Sequence, residues 1–197
     1  MSDVITEFTA EVPHWRPYIT PVALESATPE QREAMAVTPS NMKISEYTLV
    51  LAHDPESLQH RSPLFNDIMF HRGGLSRAER ELGAVGASIV NRCIYCAAVH
   101  AARFNQLTKD ESVMEQIFAD KTQAALDPRR SAILTFSAKL SECPSAADSA
   151  DTQALVDAGL TPEEILDLVL SVALFGWANR LMHTLGEPAT NDDHAPD

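Results

Sequence analysis

Residues 75–104 read LSRAERELGAVGASIVNRCIYCAAVHAARF, and this segment is the most informative part of the 197-residue chain. Ser76 is followed three residues later by Glu79, a capping box that predicts the start of a helix. We expect this helix to cover about residues 77–90, with small residues that allow a second helix to approach closely. An Asn-Arg pair then breaks it, and another helix is expected over about residues 93–107. The segment therefore predicts an antiparallel pair of helices.

The rest of the chain has the same helical character. Helix starts are predicted where Thr or Asp precedes Pro, at Thr28, Asp54, Asp127 and Thr161. We find no strand-like alternation of any length, and both Gly (7 residues) and aromatic residues (6%) are scarce, which favours helices. The predicted fold is all-α, a compact multi-helix domain of about six to nine helices in which the antiparallel pair carries the Cys-x-x-Cys site.

The distribution of prolines and charges predicts three parts. Residues 1–27 contain three prolines and little periodicity, and we expect an N-terminal arm that packs on the body or on a neighbouring subunit. Residues 28–188 are expected to form the all-α domain, in which Pro63 kinks or splits the third helix. Residues 189–197 are expected to be a disordered acidic tail.

Composition excludes several classes of function. The formal net charge of −13 leaves no basic surface for nucleic acid or for an anionic membrane. The first residues, MSDVITEF, lack the features of a secretory signal, and no run approaches the ~18 apolar residues of a membrane-spanning helix. The apolar run 165–175 is interrupted by Asp167 and Ser171 and is expected to be a buried helix. We therefore expect a cytoplasmic protein whose three cysteines are reduced at rest.

Three residues at the start of the second helix point to thiol chemistry. Cys93, Cys96 and His100 lie at positions i, i+3 and i+7, on one face of a helix. The positive end of the helix dipole stabilises a thiolate, and the imidazole of His100 is within reach of Cys96. A thiolate nucleophile, a second thiol to resolve it and a nearby base are the requirements of thiol–disulfide or peroxide chemistry.

Two other interpretations of these residues remain open. Buried cysteines often act as small apolar residues, which would make the pair structural. Alternatively, Cys93, Cys96, His100 and Glu81 supply four ligands of the kinds that bind zinc, although structural zinc ligands usually come from turns or separate elements. Cys143 has no partner pattern and is interpreted as an incidental thiol. We expect no metal and no cofactor.

The spacing of the site residues resembles a known signature. Glu81, eleven residues, CIYC at 93–96, three residues and His100 resemble the Glu…Cys-x-x-Cys-x-x-x-His pattern of the alkylhydroperoxidase D-like branch of the carboxymuconolactone decarboxylase superfamily. The run FGWANR at 175–180, followed by Leu-Gly, resembles the peroxidase-related members. The likeness to the general domain covers roughly residues 60–140, and the likeness to the longer peroxidase-related proteins covers most of the chain.

The resemblance implies an all-helical fold, a homo-oligomer and peroxidase activity. It assigns peroxide attack to Cys96, resolution to Cys93 as the more exposed thiol, and proton relay to His100 and Glu81. The chain departs from the best-known pattern at Tyr95, where a His often joins the relay. A phenol of ordinary pKa does not accept a proton at neutral pH, so the relay is expected to run through Glu81, His100 and water.

These observations predict a thiol-dependent peroxidase with the catalytic residues Cys96, Cys93, His100 and Glu81. Its expected partners are a peroxide substrate, a thiol or disulfide-reductase electron donor and further copies of the same chain. The alternatives are a redox-sensing helical oligomer without peroxidase activity and a lactone decarboxylase-like enzyme on the same fold. Decarboxylase-like members do not depend on a cysteine pair, so the intact dithiol argues against that alternative.

Overall fold

Helices form most of the computed structural model, which describes residues 3–37 and 44–190. The fold is all-α, as predicted, with one small two-stranded sheet in the described residues. The elements in chain order are β1 (His14–Pro17), α1 (Pro29–Ala36), α2 (Glu46–Leu51), α3 (Pro55–Phe70), α4 (Arg77–Val90), α5 (Ile94–Thr108), α6 (Ser112–Asp120), a 3-10 turn (Lys121–Gln123), α7 (Pro128–Ser141), α8 (Ser149–Asp157), α9 (Pro162–Leu185) and β2 (Gly186–Ala189).

The predicted helix starts are confirmed, and each has a visible cause. The side chains of Thr28, Ser76, Asp127 and Thr161 all accept hydrogen bonds from backbone N–H groups in the first turn that follows. These bonds satisfy donors that would otherwise have no partner. The expected split at Pro63 is wrong, because α3 runs through it as one helix with buried residues both before and after the proline.

Helix α4 is the centre of the fold and packs against α5, α7 and α9. Ten consecutive residues of α4, from position 80 to position 89, are buried. The closest approach is at Gly86, where an added Cβ would lie 2.8 Å from the Cβ of Ser137 on α7. At Gly83 an added Cβ would meet the side-chain end of Leu168 on α9, also at 2.8 Å. The small residues of the sequence are therefore the contact surfaces of the central helix.

We expect Gly86→Ala to destabilise the protein although alanine is the better helix former. The added methyl group meets a Cβ that cannot move without its backbone, and such overpacking costs about 1–3 kcal/mol of unfolding free energy. Gly176→Ala on α9 is the matched control, because its nearest neighbour is the Nη1 of Arg180 at 3.6 Å. That variant should gain about 0.5–1 kcal/mol from helix propensity. Urea unfolding of both variants measures the difference, and equal effects would contradict the close contact at Gly86.

The small sheet joins two distant segments of the chain. β1 and β2 pair antiparallel, with His14 opposite Ala189. Trp15 of β1 is buried, and its Nε1 donates a hydrogen bond to the carbonyl oxygen of Met182, 167 residues away in sequence. The N-terminal arm therefore packs on the helical body through this strand. Sequence periodicity did not reveal the strands, because each has only four residues and its partner is remote.

The sheet also corrects the predicted tail. Ala189 is fully buried at the end of β2, and the N–H of Thr190 donates to the carbonyl oxygen of Asp3 at 2.9 Å. The prediction of disorder from residue 189 is therefore wrong for residues 189 and 190, because pairing with the arm orders them. The remaining residues of that tail, 191–197, lie outside the described part of the chain.

Helix α9 carries the longest apolar segment. By length and composition alone it could cross a membrane, but it packs against α3, α4 and α7 as a core helix does. Asp167, one of the two polar residues that interrupt the apolar run, accepts a 2.7 Å hydrogen bond from the fully buried Arg80 of α4. This ion pair fixes α9 against the helix that precedes the two cysteines.

Candidate functional site

The two cysteines meet at the start of α5. Cys93 is the N-cap residue and Cys96 lies in the first turn, so their Sγ atoms are 2.7 Å apart and share a hydrogen bond. Both are free thiols in the structure. Both residues are buried, with exposed fractions of 3% for Cys93 and 6% for Cys96, so the structure does not distinguish Cys93 as the more exposed thiol. Both cysteines belong to an apolar cluster that also contains Trp15 of the arm, Tyr47 and Val50 of α2, and Met182 of α9.

Glu81 and His100 form a second pair between α4 and α5. Glu81 has no solvent exposure, and its Oε2 is bonded to Nδ1 of His100. Its Oε1 accepts a 2.7 Å hydrogen bond from Nε of Arg77. Burial alone would raise the pKa of Glu81, but the charges and hydrogen bonds of His100 and Arg77 outweigh it and lower that pKa. Glu81 is therefore an ionised carboxylate inside the fold.

The carboxylate determines what the imidazole can do. A hydrogen bond from Nδ1–H to Glu81 leaves Nε2 of His100 as the nitrogen that can accept a proton, and the negative charge stabilises the imidazolium that results. The ring of Phe175 packs edge-on against His100, with 4.1 Å between the ring centroids, and restricts its orientation. His100 lies one turn beyond Cys96 on the same helix, so it is placed to exchange protons with that region.

The two thiols differ in acidity because the hydrogen bond between them and their burial affect each one differently. The hydrogen bond with Cys96 is the largest influence on Cys93 and lowers the Cys93 pKa, although burial opposes it. Burial raises the pKa of Cys96 well above its ordinary value, and the neighbouring Cys93 adds to the rise. Cys93 is therefore the thiol of the pair that ionises first. Transfer of one proton across the 2.7 Å contact then moves the negative charge to Cys96.

Sequence reasoning did not identify Asn179 of α9 as a site residue. This side chain has no solvent exposure, and it favours the thiolate form of both cysteines, although burial still raises the pKa of Cys96 overall. Its Nδ2 donates to Oγ of Ser88, and its Oδ1 accepts from Nδ2 of Asn91, both at 3.2 Å. The local signals were a carboxamide within a mostly apolar helix and its place in the FGWANR run at 175–180. Such a group requires buried partners.

We expect Asn179→Leu to raise the pH at which the cysteine pair ionises, because the amide stabilises the thiolate form. Loss of the amide also leaves the Asn91 side chain without its acceptor, at a cost of about 1–3 kcal/mol of stability. A pH titration of the ultraviolet absorbance of the thiolate measures the first effect. Asn105→Leu, on α5 but outside the site, is the control. An unchanged titration in the Asn179 variant would remove this residue from the site.

The structure places the other sequence candidates as follows. Burial raises the pKa of Tyr95, so its phenol stays protonated and does not replace a relay histidine. Cys143 is exposed just beyond the end of α7, apart from the pair. Across residues 3–37 and 44–190, no group of three or more His, Cys, Asp or Glu side chains is arranged to hold a metal ion. The four predicted residues thus form two pairs, a dithiol and a carboxylate–imidazole pair. The pairs are linked through α5, where Cys96 and His100 lie one turn apart.

Comparison with known proteins gives three relevant likenesses. The model of the carboxymuconolactone decarboxylase family matches residues 55–136. An uncharacterized peroxidase-related protein with an alkylhydroperoxidase AhpD core, from Ralstonia eutropha JMP134, is 30% identical with a TM-score of 0.75, over 92% of this chain and 94% of that one. An uncharacterized peroxidase-related protein from Silicibacter sp. TM1040 is 25% identical with a TM-score of 0.72, over 89% and 95%.

A more distant structure shares the fold alone. The debrominase Bmp8 is 17% identical, with a TM-score of 0.72 over 85% of this chain and 89% of that one. No curated protein matches the sequence.

Proposed function

Because this chain belongs to the carboxymuconolactone decarboxylase family, with an AhpD-like fold, we propose that it is a thiol-dependent peroxidase. The observation that carries this proposal is the contact of the Cys93 and Cys96 sulfur atoms one turn from an imidazole held by a buried carboxylate. A purely structural cysteine pair has no need of the ionised Glu81 beside it. The peroxidase-related relatives support the same activity.

In the proposed reaction the dithiol supplies two electrons to the peroxide. The Cys96 thiolate attacks one peroxide oxygen, the O–O bond breaks, and the leaving alkoxide takes a proton from His100 to become an alcohol. Cys96 is then a sulfenic acid. Cys93 attacks its sulfur and expels hydroxide, which takes the second proton and leaves as water. The product on the protein is a Cys93–Cys96 disulfide.

We assign the attack to Cys96 although Cys93 is the thiol that ionises first. The thiolate of the less acidic thiol is the stronger nucleophile, and the shared proton allows it to form. Cys96 is also the cysteine one turn from His100, which donates the proton that the leaving alkoxide needs. A thiol donor or a disulfide reductase then restores the dithiol by exchange, which closes the cycle.

The test is peroxide consumption by the purified full-length protein with excess dithiothreitol as the electron donor. We expect continuous turnover, and without the donor we expect one equivalent of peroxide to be consumed per chain. Intact mass should then fall by two hydrogens, and peptide mapping should place the disulfide at residues 93 and 96. A redox sensor would form the same disulfide without continuous turnover, and that outcome would contradict the peroxidase proposal.

A further inference from the structure

Arg61 on α3 is a cation without an acidic partner in the described part of the chain. Its guanidinium carbon lies 4.5 Å from the ring centroid of Phe65 and 5.9 Å from that of Tyr47. Its Nε is buried and has no hydrogen-bond partner among the described residues. None of the ion pairs formed by those residues includes it. Burial lowers the Arg61 pKa, as expected for a charge held without a counter-ion.

Tyr47 on α2 connects this cation to the dithiol. Its side chain is 8% exposed and belongs to the apolar cluster that contains Cys93 and Cys96. Its hydroxyl is buried and, within residues 3–37 and 44–190, it also has no hydrogen-bond partner. Burial raises the pKa of Tyr47, and negative charge on either cysteine raises it further, so the phenol is a neutral hydrogen-bond donor.

These two groups require the same kind of partner. Guanidinium N–H and phenol O–H both donate hydrogen bonds, and a buried donor without an acceptor destabilises the protein. Native structures contain few such groups, and each calls for an explanation. A ligand with a negatively charged oxygen would satisfy a donor of this kind, and beside Arg61 it would also neutralise the positive charge. A carboxylate has two oxygens and suits an arginine in particular.

The surface next to Arg61 indicates what the rest of the ligand is. A pocket of about 360 Å³ lies between α3 and α9 and includes Arg61 in its wall. Its other lining residues are mainly apolar or aromatic: Ser57, His60, Leu64, Leu174 and Trp177. A lone cation in a largely apolar pocket favours a molecule with an apolar body and one anionic group.

We propose that Arg61 binds the carboxylate of an organic substrate whose apolar chain lies in this pocket. The claim that the bound acid is a substrate rests on the proposed peroxidase activity, and the substrate class is then a hydroperoxide of a carboxylic acid. The claim that the pocket binds a carboxylic acid does not depend on turnover. Its experiments can therefore fail or succeed separately from those on the dithiol.

The binding test compares octanoate with 1-octanol by isothermal titration calorimetry on the full chain. We expect octanoate to bind at least about tenfold more tightly, because charge-assisted hydrogen bonds from a guanidinium to a carboxylate are strong. Arg61→Gln should remove this preference. Arg72→Gln, the same change of charge at an exposed position, should keep it. Equal binding of the two probes, or a preference that survives in Arg61→Gln, would overturn the proposal.

The substrate test uses a fatty acid hydroperoxide and its methyl ester. In the wild type we expect kcat/KM to be at least about tenfold higher for the acid, and Arg61→Gln should equalise the two substrates. Turnover of acid and ester at equal rates would overturn the site but leave the peroxidase proposal intact. Absence of turnover with any peroxide, together with Arg61-dependent octanoate binding, would overturn the peroxidase proposal but leave the carboxylate site intact.

Discussion

Cys96→Ser is expected to abolish peroxide turnover, with a loss of at least about a thousandfold, because a serine hydroxyl does not ionise near neutral pH and cannot attack the peroxide. The fold should tolerate the change, since serine is nearly the same size. Cys143→Ser is the matched control, because it removes an exposed thiol outside the site and should keep full activity. The measurement is peroxide consumption with excess dithiothreitol.

Cys93→Ser separates the two steps of the reaction. Without the resolving thiol, Cys96 should still react with one equivalent of peroxide and stop as a sulfenic acid, which a sulfenic-acid trapping reagent detects by mass. Continuous turnover should fall as far as in Cys96→Ser. If the trapped sulfenic acid appears instead on Cys93 of the Cys96→Ser variant, the attack belongs to Cys93, the thiol with the lowered pKa.

Glu81→Gln is expected to reduce both activity and stability. The amide cannot hold His100 as an imidazolium, and loss of such proton transfer costs about a hundredfold or more in rate. It also leaves the positive charge of Arg77 without its buried partner. We expect the free energy of unfolding at neutral pH to fall by about 2–4 kcal/mol. Glu115→Gln, at an exposed position on α6, is the control for loss of one negative charge.

The pH dependence of the free energy of unfolding gives a second test of the Glu81→Gln variant. The pKa of Glu81 is lowered in the folded protein, so its ionised form contributes stability that is complete above the ordinary carboxyl pKa. This stabilisation is lost as the pH falls from the ordinary carboxyl pKa through the lowered pKa of Glu81 in the folded protein. The stability of wild type and Glu81→Gln should therefore converge on acidification. A constant difference between them down to low pH would contradict the buried ionised carboxylate.

The local parts of this structure were predictable from the sequence. Capping residues such as Ser76 and Thr161 act within four residues of themselves, so their patterns are visible in a single chain. The spacing of Cys93, Cys96 and His100 on one helix follows from helix geometry in the same way. Glu81 could be included only through its resemblance to the family signature, because its contact with His100 crosses between two helices.

The parts that were missed all depend on contacts between distant segments. Asn179 reaches the thiols from α9, and its bonds to Asn91 and Ser88 span 88 and 91 residues. The pairing of β1 with β2 has no local pattern for the same reason. The burial of both cysteines also depends on the apolar cluster that contains them, including Trp15 of the arm. Tertiary packing determines these features, and residue spacing along one element does not encode them.

The contact of Trp15 with Met182 also bears on how the protein is made. Synthesis proceeds from the N-terminus, and the two cysteines leave the ribosome long before α9 and β2 exist. Until those elements are complete, the arm has no strand to pair with and the dithiol has no cover on that side. A nascent chain therefore presents two open thiols to the cell for as long as translation of its last third takes. During that interval the fold does not shield the dithiol from oxidation.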